Sequence, residues 1–313
     1  MIFDLRSPAA LATEHHRVED AATALARVQA ERWRRLDRRL PAVTIETGRL
    51  GLAVITPDGP LCAGFGTDYR YGPGRLDRSF QGEAGRALTV YLGEEPEPAA
   101  LLLERLTASA PGGRAVLVWP SRDGDRAELP ETGFAPEAVL AFRPAPRRWP
   151  RTLLPAGVRI RRAGPADLAV VLRCRLAELA FAAEHSRSRL FPDTPDLVGA
   201  ELAAVLRAGD GIWLAERGNT VLGMVQGELT RVSGPTGSRR LPAGTHAYLA
   251  CLYVRPEARG LGLGTALANG LLAEFTAAGA RSHYLWYHPA NPLSGPFWAR
   301  LGFEPLWCRW ERG

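Results

Sequence analysis

Three glycines at alternate positions, Gly260, Gly262 and Gly264, stand just after Arg259 and lead into an apolar helical pattern. That combination can hold an anion. Missing side chains let a ligand reach the backbone, the first N–H groups of a helix lack helical partners, and the helix dipole adds partial positive charge. Arg259 adds a full charge. The chemistry indicated is the grip of a phosphate or pyrophosphate. Two common phosphate loops do not fit. The nucleotide P-loop needs Lys after its last Gly, where this chain has Thr265. The dinucleotide fingerprint needs G-x-G-x-x-G, whereas these glycines run G-x-G-x-G with no acidic ribose-binding residue at the usual distance.

The elements that position this loop are legible on both sides. Tyr248 to Val254 is an apolar, aromatic and β-branched run that reads as a buried strand. Pro256 ends it, having no N–H for a ladder. Ala266, Leu267, Leu271 and Phe275 then recur at helical spacing.

The spacing Arg259-x-x-Gly262-x-Gly264 after Leu252-Tyr253-Val254 resembles the acyl-CoA loop of the GNAT acetyltransferase superfamily. The resemblance continues through a strand at Tyr284–His288, Asn291, a short helix and the Gly302-Phe303 ending, covering about half of the chain. It implies direct transfer of acetyl from acetyl-CoA to a small-molecule amine in a ternary complex. The pyrophosphate would lie on the N–H groups of Gly260, Leu261, Gly262, Leu263, Gly264 and Thr265, beside Arg259. The pantetheine arm would pair with the backbone around Leu252, Tyr253 and Val254 and with Asn291, near Phe297 and Trp298. The thioester oxygen would find its donor near Leu252–Tyr253.

The proton-transfer groups depart from the family pattern. The family's acid is a Tyr after Phe in the last helix, but Phe297 is followed by Trp298. An indole N–H is no acid near neutral pH. Ser294 and Tyr287 are the substitutes, unless the thiolate leaves unprotonated. Some members carry a Glu early in the fourth strand, where this chain has Tyr248. His246, two residues earlier on the same face, and Glu228 are the candidate bases, each weighed against a plain solvated strand position. Glu184, His185, Arg187 and Tyr248 are expected on the acceptor side. A CoA-binding regulatory or scaffold protein without turnover is the alternative reading.

Composition narrows the setting. All 39 basic residues are Arg and none is Lys, which excludes a lysine Schiff base. The arginines, giving a net charge of +6, are scattered among acids and form no basic stripe. A GC-rich bacterial genome accounts for them, and no nucleic-acid partner is expected. Cys62, Cys174, Cys251 and Cys308 lie far apart and the six histidines show no ligand spacing, so no metal is expected. No apolar run reaches membrane-spanning length, and the N-terminus does not read as a signal peptide, so a cytoplasmic protein is expected.

At 313 residues two domains are expected. Gly133-Phe134-Ala-Pro136 echoes Gly302-Phe303-Glu-Pro305, and Pro120 echoes Pro289, at one offset of 169 (302 − 133 and 289 − 120). Such a repeat has to be read before any other fold assignment. The fold class is therefore α/β (α+β): two tandem GNAT-like units, each a mixed, mostly antiparallel twisted sheet flanked by helices. Residues 1–143 form the first, 144–155 a Pro/Arg-rich linker, and 156–313 the catalytic unit. The first has Gly93-Glu94-Glu95-Pro96-Glu97-Pro98 in place of the glycine loop, and its carboxylates would repel a pyrophosphate. It reads as degenerate, and the chain as a monomer that is an internal pseudo-dimer. Mycothiol synthases are also tandem units of similar length, though no further motif ties this chain to them.

In the first half the patterns predict a helix over Val18–Leu40, strands at Ala42–Glu46, Leu50–Ile55, Leu61–Gly66 and Ala87–Leu92, a loop over Thr67–Arg78, and a strand pair over Gly133–Arg143. The second half reads β-α-α-β-β-β-α-β-α-β.

Overall fold

The computed structural model describes residues 10–94, 98–124, 129–150, 153–209, 211–234, 238 and 240–313, with 10–12 as backbone. Glu95, Pro96 and Glu97 of the acidic loop, and parts of the linker and of the stretch before Gly244, lie outside them.

The first unit begins with β1 (Ala10–Ala12) and α1 (His15–Leu36), whose buried face includes Val18, Ala22, Leu25 and Trp33. Strands β2 (Leu50–Thr56), β3 (Gly59–Arg70) and β4 (Ala84–Leu92) form an antiparallel meander, with α2 (Asp77–Gln81) between the last two. Then come α3 (Ala99–Thr107), β5 (Ala115–Pro120) and β6 (Ala135–Pro144). The second unit follows as β7 (Val158–Arg162), α4 (Leu168–Ala183), α5 (Thr194–Ala208), β8 (Ile212–Arg217), β9 (Thr220–Val232), β10 (Gly244–Val254), α6 (Leu263–Ala277), β11 (Ser282–Tyr287), α7 (Ser294–Arg300) and β12 (Glu304–Arg312).

Several expectations are corrected. Ala42–Glu46 is irregular: the Tyr91 hydroxyl accepts from the Glu46 N–H and donates to the Thr44 carbonyl, so a side chain holds this segment. Thr67–Arg78 is no simple loop, because β3 runs on to Arg70 and α2 starts at Asp77. Gly133–Arg143 holds one strand, not a pair. Helix α1 ends at Leu36, ahead of Pro41.

Among the described residues the twelve strands join in one sheet in the order β1-β2-β3-β4-β5-β12-β6-β11-β10-β9-β8-β7. Two neighbouring pairs are parallel, β4–β5 and β10–β11. The centre shows an exchange. The last strand of the second unit, β12, pairs with β5 of the first, and β6 of the first pairs with β11 of the second. The exchanged strands also pair with each other, with Val139 opposite Cys308. Those two residues are related by the repeat offset (308 − 139 = 169), so a pseudo-twofold axis passes between them.

Arg143 fastens the exchanged β6. Its Nε donates to His283 Nδ1 at 3.2 Å, another guanidinium nitrogen donates to the Leu301 carbonyl, and the group lies over Phe303 and Trp149. Helix α6 lies close against β9 because Gly227 admits it: a Cβ there would sit 2.8 Å from Leu271.

Two expectations follow. Residues 156–313 expressed alone would leave β11 and β12 without β6 and β5, so the fragment should aggregate on gel filtration; a soluble, fully active fragment would contradict the exchange. The second concerns His283, which is fully buried, with Nε2 3.0 Å from Thr276 Oγ1. Burial, with Arg143 adding to it, pushes its pKa down to about 3. Below pH ~6.5 the unfolded chain takes up this proton and the folded chain does not, so stability is lost as pH falls from ~6.5 toward the folded value. The loss should reach about 2 kcal/mol at pH 5. Urea unfolding at pH 7 and pH 5 should show that gap, and it should shrink in His283→Gln.

Candidate active site

The site begins with a break in the sheet. Strands β10 and β11 pair in parallel only from His246–Ser282 to Leu249–Leu285. The register of β10 against β9 shifts between Leu249 and Cys251, leaving Ala250 as a bulge. A bulge bends its strand, and beyond it β10 and β11 diverge. Residues past Leu249 keep β9 on one side and have no β11 ladder on the other. A wedge therefore opens with backbone N–H and C=O groups along one wall.

Two clefts of about 450 Å³ each occupy this wedge. The first is lined by Leu252, Tyr253 and Val254 of β10, by the glycine loop, and by Phe297 and Trp298 of α7. Gly260 and Gly262 have φ of +80° and +77°, so side chains there would be strained. A Cβ on Gly264 would meet the Phe297 ring at 3.3 Å. The helical ladder of α6 starts with Ala266 N–H donating to the Gly262 carbonyl at 3.0 Å, so the N–H groups of Leu263, Gly264 and Thr265 precede it. Arg259 lies over Phe181 at 5.3 Å, and its Nε donates to the Val254 carbonyl. Asn291 Oδ1 accepts from the N–H groups of Leu293 and Ser294, which sets the start of α7.

The second cleft continues past the bulge and is lined by Tyr248 to Leu252, by Tyr287, and by Phe80 and Gln81 of the first unit. The clefts meet at five residues common to both: Glu178, Leu252, Asn291, Ser294 and Trp298. Glu178 is the only ionisable side chain among them. It stands on α4, ion-paired with Arg175, with the Cys251 thiol donating to its Oε2 at 3.8 Å. Sequence reasoning missed it, since one Glu on a largely apolar helix gives no signal until the helix is laid over the strand.

Of the residues expected in the cofactor site, all but Leu261 line the first cleft; Leu261 points to solvent. Ser294, Tyr287 and Tyr248 line the second cleft. Burial pushes the Tyr248 phenol up to about 12, so it stays protonated at neutral pH and is no base there. It stacks on Tyr284 with centroids 4.8 Å apart.

The other expectations are corrected. His246 is buried outside both clefts, with Nδ1 2.6 Å from Ser282 Oγ and Nε2 2.8 Å from the Pro242 carbonyl. Burial lowers its pKa, and both ring nitrogens are engaged, so it is unsuited to take a substrate proton. Glu228 is exposed opposite Tyr248 on β9 and lines neither cleft. Glu184 and His185 also lie outside, His185 packing on Phe181. Arg187 donates to the Gly313 carbonyl and ties the loop to the chain end. Ser188 and Leu190 of that loop do reach the cleft.

The first unit has its own wedge, and the protein fills it. Strands β4 and β5 pair only from Arg86–Ala115 to Leu88–Leu117. The β3–β4 register runs without a break, so β4 has no bulge. Gln29 of α1 reaches the exposed edge: its Nε2 donates to the Val90 carbonyl at 3.3 Å, and the Leu92 N–H donates to its Oε1 at 3.0 Å. The side-chain amide thus pairs with the strand as a peptide group would. Trp33 packs edge-on against Trp119 and Trp307, at 5.5 and 5.2 Å. A cavity of about 190 Å³ remains. Among the described residues there is no cluster suited to a metal ion and no helix long and apolar enough to cross a membrane.

Comparison with known proteins agrees with this geometry. Residues 177–303 match the acetyltransferase (GNAT) family model. A mycothiol acetyltransferase of Thermobispora bispora is 29% identical over 207 residues, which span 61% of this chain and 63% of that protein. A GCN5-related N-acetyltransferase from Sphaerobacter thermophilus superposes over 97% of this chain and 95% of its own, with a TM-score of 0.62 at 14% identity. Another, from Ralstonia eutropha, covers 48% of this chain and 94% of its own, at 25% identity and a TM-score of 0.37. The match to the GNAT family model lies in the second half of the chain, and the likeness to the Sphaerobacter protein extends the shared fold over both halves.

The family uses acetyl-CoA, and the two wedges differ in their room for it. Calorimetry should give one CoA per chain. Gly262→Asp should abolish that binding, since it sets a carboxylate against the pyrophosphate at a φ of +77°. Gln29→Ala should lower stability by about 1–3 kcal/mol, the usual result of leaving buried polar groups without partners, and keep the stoichiometry at one.

Proposed function

We propose that the chain is an acetyl-CoA-dependent N-acetyltransferase acting on a small-molecule amine by direct attack in a ternary complex. The observation that carries this reading is the wedge at Ala250, where two clefts meet at one neck. The first cleft suits the cofactor: glycine loop and α6 N-terminus for the pyrophosphate, β10 edge for the pantetheine amides. The second suits the acceptor.

The acceptor nitrogen, once deprotonated, attacks the thioester carbonyl carbon. The developing oxyanion takes a hydrogen bond from a β10 backbone N–H beyond the bulge. As the C–N bond forms the C–S bond breaks, and CoA leaves as thiolate or thiol. Glu178 is assigned as the base that takes the ammonium proton, directly or through one water. The hydroxyls of Ser294 and Tyr287 are assigned as proton donors to the sulfur. Burial raises the Tyr287 pKa, which keeps its proton in place at neutral pH. Trp298 packs the CoA arm. Residues 1–143 are assigned as a unit without a CoA site that walls the acceptor cleft, 144–155 as the linker, and 156–313 as the catalytic unit.

The test is thiol release from acetyl-CoA with a panel of amines, read with the mass shift of the product. Binding of acetyl-CoA with no release from any amine would favour the scaffold reading instead. Glu178→Gln should keep CoA affinity and lower kcat by about 10²-fold or more, the range of a positioned acid or base. An unchanged kcat would remove Glu178 from the mechanism.

A further inference from the structure

One cavity belongs to neither cleft. It measures about 550 Å³ and lies at the outer edge of the second unit, against β7, the last strand of the sheet. The β8–β9 turn, α4 and Arg255 form its other walls, and it shares no lining residue with the two clefts. Four guanidinium groups line it, of Arg159, Arg161, Arg173 and Arg255, against the carboxylates of Asp167 and Glu216. Strand alternation puts Arg159 and Arg161 on one face of β7, with Glu216 opposite Arg159 on β8. Glu216 is buried and takes both: Arg159 Nε donates to its Oε1 at 2.6 Å, and Arg161 Nε to its Oε2 at 3.0 Å. The two terminal nitrogens of Arg161 each donate to Asp167 at 2.8 Å. These carboxylates thus match Arg159 and Arg161 and hold them in place. Arg159 is tied through Nε alone, so its two Nη groups are left without a partner among the described residues.

The other two cations are not matched in this way. Arg173 stands exposed on α4 and makes no ion pair among the described residues. Its own helix offers it none, since the positions one turn away on either side are Ala169, Val170, Leu176 and Ala177. Arg255 meets Glu257 at 3.4 Å, an exposed pair of a kind that contributes little. With Glu257 in place the cavity keeps an excess of one positive charge, and with Glu257 displaced an excess of two. Burial raises the pKa of the Cys174 thiol, and Arg255 and Arg173 both act to lower it, so the two guanidinium groups lie near that one residue. Asn219 and Thr220, at the turn, add an amide and a hydroxyl.

We infer that this cavity is a second binding site, for a small molecule bearing a phosphate monoester, with Arg173 and Arg255 on the phosphate and Arg159 donating to it from β7. A phosphate monoester carries about −1.5 to −2 charge at pH 7, which answers two guanidinium groups where a carboxylate would answer one. Arginine forks suit phosphate oxygens in geometry as well as in charge. The phosphate takes the place of Glu257 on Arg255, and the amide and hydroxyl at the turn serve the rest of the molecule. A cavity of this size falls within the roughly 300–1,000 Å³ of small-molecule sites. The inference stands apart from the acetyltransferase reading, whose reaction uses none of these residues.

The test uses the full chain saturated with CoA, so that the glycine loop is occupied. The probes are glucose 6-phosphate and AMP, with glucose as the neutral control and glucuronate as the singly charged one. Calorimetry should show one molecule of at least one phosphate monoester per chain, and no binding of glucose. Glucuronate should bind more weakly than glucose 6-phosphate. The same titration in Gly262→Asp, whose loop is closed to phosphate, should agree, which keeps the result independent of where CoA sits. Arg173→Gln and Arg255→Gln should each weaken binding about tenfold, the usual loss of a hydrogen bond to a charged group. Arg27→Gln removes the same charge from an exposed position on α1 and should leave the affinity nearly unchanged. Arg173 is exposed, so its variant stands if Arg255→Gln fails to fold. Binding of neither monoester, equal weakening in all three variants, or glucuronate binding as tightly as glucose 6-phosphate would overturn the inference.

Discussion

A parallel strand pair that stops early is the feature on which the rest of the site depends. β10 and β11 share four residue pairs and then separate at the Ala250 bulge. Backbone groups in a sheet interior have to be paired, because leaving them buried and unmatched is costly. An open wedge therefore presents amide groups in need of a partner, and a ligand with amides of its own can supply one. The glycine loop at one end and α4 over the neck are useful only because this edge lies between them.

The first unit shows the same wedge closed from within. There β4 and β5 also part, but the edge is answered from within by Gln29, and the space is taken by Trp33, Trp119 and Trp307. On the edge of the second wedge Arg259 Nε donates to the Val254 carbonyl at 3.3 Å, but among the described residues no side-chain amide pairs with the strand as Gln29 does. The difference is thus physical as well as a matter of sequence likeness: one edge is paired by a side-chain amide across two residues, and the other opens on a cleft.

Much of this was readable beforehand, and the reasons are particular. Gly260, Gly262 and Gly264 could be read because positive φ and close approach demand glycine, leaving a pattern that tolerates few substitutes. The repeat could be read because an ungapped offset of 169 survives in its Gly-Phe and Pro positions. The exchange of β6 and β12 could not. Both strands pair antiparallel whichever partner they choose, so their residue pattern is the same in either arrangement. Helix α2 was too short for periodicity to show. His246 was misjudged because strand alternation gives its face but not the Ser282 hydroxyl waiting there. Glu178 was invisible for the converse reason: its importance comes from what lies opposite, and its own spacing says nothing.

The exchange also bears on why a unit with a filled wedge persists. β6 supplies the strand beside β11, and Arg143 anchors it on His283 and the Leu301 carbonyl. In return β12 carries Arg309 into the first unit's half of the sheet, where it meets Phe80. Neither half can complete its sheet with its own last strand in this arrangement. The filled wedge of the first unit therefore removes no constraint on β6, α2 or the strands flanking β12. Their side chains remain fixed by the packing of the second unit, and Phe80 and Gln81 form part of the wall of the second cleft. The filled wedge and the fixed wall of the second cleft are in this sense held together by one crossing of strands.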